Sequence, residues 1–344
     1  MDITRRGRIG QASRAAARRI GSKGDYTMAR THLASAAVLA GLLAAGPASA
    51  AVLFADEMTS GAAWGTNATS ADTLATFGFN YSTVGIPEAP NSQGGDAATS
   101  GLRLEANVLE PGSTESLTVY PLGQNFTGTY RLRFDAWSNY DTGETATTEF
   151  LGGGIGYDNA ASGLTSGAQA VASGDGGSSS DWRVFKDGFF VAEADMAAGS
   201  RNASDPYYAD FLPAMSPPAI QGQAGTGTDG APGFQWITWQ FTVIGTQVLI
   251  DIEKPGGEQL RIAELDCLDV SDGSSGCSST GNISLFYGDF FTSVSDAPAI
   301  TFGLIDNVFV VDDFDIAEPG TVALLGVGLA GVVVIRRRRP RRTP

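Results

Sequence analysis

Histidine, cysteine and basic side chains are the scarce components of this 344-residue chain, which has one histidine (His32), two cysteines (Cys267 and Cys277) and 22 Lys or Arg residues. The basic residues crowd at the two ends. From residue 51 to residue 317 there are eight Lys or Arg against 34 Asp or Glu, a net charge of −26 that the whole-chain value of −15 conceals. Without a histidine in that stretch, serine–histidine and cysteine–histidine nucleophiles, histidine general bases and the common zinc and non-haem iron centres are excluded. No glycine loop followed by Lys-Ser or Lys-Thr is present, and no strand–GxGxxG–helix unit, which removes the usual nucleotide sites. So acidic a body repels polyanions, and nucleic acid is excluded as a partner.

What is present begins with the two ends. Residues 33–45 form an apolar run behind Met28 and Arg30, ending in Ala48-Ser49-Ala50. A basic start, an apolar core and an Ala-x-Ala site make residues 28–50 a secretory signal peptide, cut after Ala50 by signal peptidase once the secretion machinery has engaged it. Residues 1–27 carry seven Lys or Arg and few large apolar side chains, and read as a basic, disordered extension or an over-extended gene start. At the other end Ala317-Glu318-Pro319-Gly320 leads into an apolar run, 321–335, followed by Arg336, Arg337, Arg338, Arg339, Pro340, Arg341 and Arg342. Fifteen helical residues span about 23 Å, short of the ~30 Å core of a bilayer. The arginines orient such a helix with its C-terminus in the cytoplasm.

Acidic box, apolar helix and terminal arginine cluster, in that order over residues 318–342, resemble the PEP-CTERM sorting signal of Gram-negative bacteria. The box departs from the usual triplet, with Ala317 where a first proline is common. The resemblance implies an exosortase-like membrane protease as a partner, cleavage near Glu318-Pro319, and release or transfer to the envelope, cell surface or matrix. Residues 312–317 then form an acidic spacer.

Between the targeting segments the pattern has period two. Leu102, Leu104, Ala106 and Val108 alternate with Arg103, Glu105 and Asn107, and Tyr130, Leu132, Phe134 and Ala136 alternate with Arg131, Arg133 and Asp135. Each is a strand with one wet face. Further strands are expected at 116–120, 150–157, 182–186, 189–193, 234–244, 247–253, 259–264, 283–290 and 300–311. Asp187-Gly188 suits a type I′ hairpin turn, and Gly245-Thr246 a second turn. Long loops are expected at 85–100, 158–181, 196–232 and 266–281. Gly152-Gly153-Gly154 reads as a bend or bulge. With no long helical pattern, residues 51–311 are expected to form an all-β, two-sheet antiparallel sandwich, a jelly roll of the lectin or carbohydrate-binding-module kind. The last strand should return beside the first.

In an oxidising compartment Cys267 and Cys277 are expected to pair and clip their polar loop. Asp266, Asp269 and Asp272 recur beside them ahead of Gly273, and oxygen-rich loops of this kind suit calcium; otherwise no cofactor is required. Sugar-binding sandwiches stack ring faces on exposed aromatics, which makes Trp137, Tyr140, Trp182, Trp236 and Trp239 the candidate ligand contacts. Trp236 and Trp239 should face opposite sides of one strand. Glycoside hydrolysis needs two facing carboxylates; Asp135 and Glu149 are noted, but no catalytic residue is selected. The expectation is an exported, non-catalytic envelope or matrix protein, with a carbohydrate-binding domain that contacts extracellular polysaccharide as the alternative and a secreted hydrolase behind both.

Overall fold

The computed structural model describes residues 51–95, 97–109, 114–143, 149–290 and 297–312. The segments expected to be a signal peptide (28–50) and an acidic spacer (beyond Asp312), and the C-terminal tail, lie outside them. Alternating hydrophobic sequence becomes two sheets. The larger runs β13 (Gln259–Asp266), β12 (Gln247–Glu253), β11 (Trp236–Ile244), β6 (Tyr130–Asn139), β15 (Phe302–Val311), β4 (Ser100–Ala106) and β3 (Thr73–Asn80), with β1 (Val52–Asp56) also on β15. The second sheet runs β10 (Phe189–Phe190), β9 (Trp182–Lys186), β8 (Ala168–Ser173), β7 (Glu149–Tyr157), β14 (Asn282–Asp289), β5 (Glu115–Pro121) and β2 (Trp64–Ala68). Every pairing among these strands is antiparallel. The chain is an all-β, two-sheet antiparallel sandwich of the jelly-roll kind. Val52 pairs with Val311, so its last strand does return beside its first.

The main core fills the space between the sheets. Leu132, Phe134 and Ala136 of β6, Ile237, Trp239 and Phe241 of β11, and Leu285 and Tyr287 of β14 all belong to it and are buried. Strand alternation sends Arg131, Arg133, Asp135 and Trp137 to the opposite, outer face of β6. Part of that outer face has a cover of its own. A strap, residues 81–95, opens with a 3-10 turn (Tyr81–Val84) and crosses the sheet. Its Tyr81, Ile86 and Ala89 form a second apolar cluster with Trp137, Tyr140, Phe234, Trp236, Phe302 and Leu304.

Three expectations about strands are corrected. The 158–181 loop contains β8, whose small side chains (Ala-Gln-Ala-Val-Ala-Ser) carry little strand signal. The cause lies on its neighbour: a Cβ on Gly152 would stand 2.1 Å from the Ala170 carbonyl oxygen, and one on Gly154 2.3 Å from that of Ala168. The glycine triplet is therefore not a bulge but a regular stretch of β7 where two backbones approach closely. The expected strand at 189–193 shrinks to Phe189–Phe190, because Glu193–Asp195 turns into a 3-10 helix. The hairpin at Asp187-Gly188 has φ of 43° and 81°, as its sequence requires.

Candidate functional site

None of the five aromatic candidates offers an open ring face. Trp182 and Trp239 lie in the main core at 0% and 1% exposure, packed edge to face on each other. The Trp182 ring also stacks on Tyr208, and its indole N–H donates to the Gly230 carbonyl at 3.1 Å. Trp236 and Trp239 do take opposite faces of β11, but outward-pointing Trp236 is only 3% exposed. The strap explains this. Tyr81 packs against Trp236, and the Trp236 indole N–H donates to the Pro87 carbonyl at 2.8 Å. Trp137 lies against Trp236 under the same cover, and Tyr140 stacks on Phe234. An outward register was necessary for a sugar platform, but a covering segment distant in sequence removed it.

The cysteines are joined, with Cα atoms 4.5 Å apart. Beside them each of the three aspartates closes its own turn. Asp266 accepts from the Leu268 N–H at 2.9 Å, Asp269 from the Ser271 N–H at 2.8 Å, and Asp272 from the Ser274 N–H at 2.9 Å. The second oxygen of Asp272 accepts from buried Lys186 Nζ at 2.8 Å. Bonds from Lys186 and Ser274 hold the Asp272 carboxyl down at about 2. The three carboxylates line one recess of about 340 Å³ without converging, and Lys186 already neutralises one of them. Among the described residues no group of three acidic, cysteine or histidine side chains is placed to hold a metal ion. Asp266, Asp269 and Asp272 are thus spent on their own turns and on Lys186 rather than gathered as one ligand set.

Asp135 is fully buried at the edge of the strap. Its Oδ1 accepts from Thr238 Oγ1 at 2.6 Å and Asn91 Nδ2 at 2.7 Å, and its Oδ2 from Asn307 Nδ2 at 2.7 Å and the Asn91 N–H at 3.0 Å. Its register partner on β15 is Asp306. There a β-bulge, with Asn307 at φ 51°, re-aims the chain so that both Asp306 and Asn307 serve the strap side. Burial pushes the Asp306 carboxyl up to about 8, with Glu57 and Asp135 adding repulsion. Glu149, the other carboxylate noted from sequence, sits on β7 opposite Asp289, in the other sheet from Asp135. Asp306 and Asn307 were missed. Two adjacent polar residues inside an otherwise apolar strand were the available signal.

A polar concavity lies among loops at one end of the sandwich. About 420 Å³ is lined by Gln124 and Asn125 after β5, Asp158 and Asn159 after β7, Thr165 and Ser166 before β8, Asp187 at its hairpin, and Ser278 and Thr280 after the disulfide loop. Asn159 has φ 64° and Asp187 φ 43°, backbone shapes that short polar residues tolerate best. Internal bonds brace the rim. Asn67 Nδ2 donates to Tyr157 Oη at 2.7 Å, Asn282 Nδ2 to Asn159 Oδ1 at 3.0 Å, and the Gly167 N–H to Asp187 Oδ1 at 2.5 Å. Amides, hydroxyls and carboxylates on several loops thus face one space. No covalent chemistry is set up there, but a hydroxyl-rich ligand would find both donors and acceptors.

Residues 317–339 match the PEP-CTERM protein-sorting motif. That motif is generally associated with secreted and cell-surface proteins processed through an inner-membrane exosortase in Gram-negative bacteria. No curated protein matches the chain. Among solved structures, the Ca2+/Man3GlcNAc-bound exoplasmic domain of VIP36 is similar at 7% identity over 77% of this chain and 89% of its own, with a TM-score of 0.39. Peanut lectin aligns at 7% identity over 70% of this chain and 98% of its own, TM-score 0.36. The carbohydrate-binding module CBM66 from Bacillus subtilis aligns at 8% identity over 61% and 86%, TM-score 0.33.

Proposed function

We propose that this chain is an exported, non-catalytic surface protein whose sandwich binds an extracellular polysaccharide through the polar cleft, and whose sorting motif delivers it to the envelope, cell surface or matrix. In this reading signal peptidase acts after Ala50 and an exosortase-like membrane protease acts at the Glu318-Pro319 box. The cleft carries the binding half of the proposal: loops from four places in the chain bring amides, hydroxyls and carboxylates to one concave space. Such a lining suits the repeated hydroxyls of a sugar chain better than an apolar ligand. A purely structural envelope protein is the second reading, favoured by the covered state of Trp137, Tyr140, Trp182, Trp236 and Trp239.

Glycan-array and polysaccharide co-sedimentation measurements separate the two, run with calcium and with chelator. Binding that is lost in a Gln124→Ala/Asn125→Ala double variant of unchanged stability supports the cleft. Uniform absence of binding under both conditions leaves the structural reading. Binding that survives the double variant but falls on chelation would move the ligand site elsewhere.

A further inference from the structure

Two oxygens and one nitrogen meet at the hydroxyl of Tyr81, and their contacts require more protons than a tyrosine supplies. Tyr81 Oη lies 2.8 Å from Asp306 Oδ2, 2.9 Å from the Ala98 carbonyl oxygen and 3.3 Å from the Ala89 nitrogen. The Ala89 N–H donates to Oη. The Ala98 carbonyl can only accept, so it takes the hydroxyl's single hydrogen. The 2.8 Å contact with Asp306 is then a hydrogen bond only when Asp306 carries a proton of its own and donates it to Tyr81. An ionised Asp306 would compete with Ala98 for one hydrogen and leave one of the two oxygens facing the Tyr81 oxygen without it.

Burial raises the neighbouring carboxyl group, Asp135, as well, but the donors around it favour its charged form. Both oxygens of Asp135 are filled by donors: the Asn91 N–H, Asn91 Nδ2, Asn307 Nδ2 and the Thr238 hydroxyl. Asn91 Nδ2 also donates to Thr238 Oγ1 at 3.0 Å, which directs the threonine hydrogen towards Asp135. Asp135 is thus the charged member of a register pair whose other member is neutral. Each holds a different point of the same strap: Asp306 holds Tyr81, and Asp135 holds Asn91.

We propose that Asp306 is a protonated latch, and that the strap of residues 81–95 is a proton-controlled cover over the tryptophan face of the larger sheet. Loss of the Asp306 proton places two negative charges on facing strand positions, frees either Ala98 or Asp306 from Tyr81, and loosens the strap above Trp137 and Trp236. The other charged groups around the latch work in the same direction. Glu57 repels Asp306 and Asp135, and Glu88 faces Tyr81. On the same outer face of β6, the two cations are already engaged, Arg133 with Glu253 at 3.2 Å and Arg131 with Thr242 at 3.0 Å.

The sign follows from linkage. A closed strap binds one proton more than an open one wherever pH lies between the ordinary aspartate value and the raised value of the closed state. Latching is complete below about pH 4, weakens as pH rises and is gone above the closed-state value, about 8. Hydrogen exchange of the 81–95 segment in the full-length protein, corrected for intrinsic rates, measures this. The opening constant should climb by up to about tenfold per pH unit across that window and then level off. Asp306→Asn, neutral at every pH, should remove the climb, whereas Asp272→Asn, which changes a carboxyl at the disulfide loop beside Lys186, should leave it in place. A pH-independent wild-type segment, or an Asp306→Asn protein that retains the climb, overturns the latch. If Asp306→Asn does not fold, infrared spectroscopy of an Asp175→Asn/Glu105→Gln double variant, which removes the other buried carboxyls that burial raises most plainly, decides: a protonated-carboxyl band at pH 7 supports the proposal, and its absence refutes it.

Discussion

Asp175 has an oxygen, Oδ1, that is buried and unpartnered. Burial, and then the charge of Asp181, push its carboxyl up to about 7. A folded-state value above the unfolded one means that stability is fully present below about pH 4 and is lost as pH rises through about 7. Replacing the group with a neutral isostere should therefore matter only on the alkaline side. Asp175→Asn is expected to raise unfolding free energy at pH 8 by roughly 1–3 kcal/mol, the cost of an unsatisfied buried polar group, and to change it little at pH 4. Urea titrations at the two pH values check this, and an equal effect at both would mean that the carboxyl's charge is not the cause. Sequence showed none of it. Asp175 stands in a Gly/Ser stretch where a solvated carboxylate is the ordinary reading, and its burial comes from chain segments far away. The aromatic candidates failed for the same reason. Their strands were legible, but the strap over Trp236 approaches from about 150 positions upstream, as the bond to Pro87 shows with its separation of 149 residues.

Strands with one wet face, such as β6 and β4, were readable from alternation because burial on one side only writes period two into the sequence. Buried and small-residue strands were not. β8 carries alanines because β7 presents glycines, and neither strand makes sense without the other. The dependence is steep enough to test. Gly152→Ala would place a Cβ 2.1 Å from the Ala170 carbonyl oxygen and 2.8 Å from the Val171 Cα, both backbone atoms that no rotamer change can move. Overpacking of this sort costs about 1–3 kcal/mol and more where backbone must shift. A Tm lower by roughly 3–10 °C is expected for a domain of this size. Gly123→Ala, with nothing within 4 Å but φ 71°, is the control for backbone strain alone. If both variants lose the same stability, β7–β8 proximity is not what demands glycine.

At the scale of the whole chain, charge and ends carry the meaning. Residues 51–317 hold a net −26, and the 22 basic residues of the chain are otherwise confined to the segments flanking them. Val52 and Val311 are paired, and the Asp312 N–H donates to the Ala51 carbonyl at 2.8 Å, so the two ends of the described fold meet. Removing either segment should then leave the sandwich unchanged in stability while altering where it goes. Intact mass and fractionation of the protein from a host with an exosortase test this directly. Processing is expected to yield a chain that starts at Ala51, ends near the Glu318-Pro319 box and leaves the inner membrane. Changing Glu318 and Pro319 to alanine should hold an uncleaved, arginine-tailed form in the membrane fraction, because the apolar run and the positive cluster still anchor and orient it. The same form in wild-type cells would show the tail to be an ordinary anchor. Release of the double variant at wild-type mass would remove the box from the recognition step.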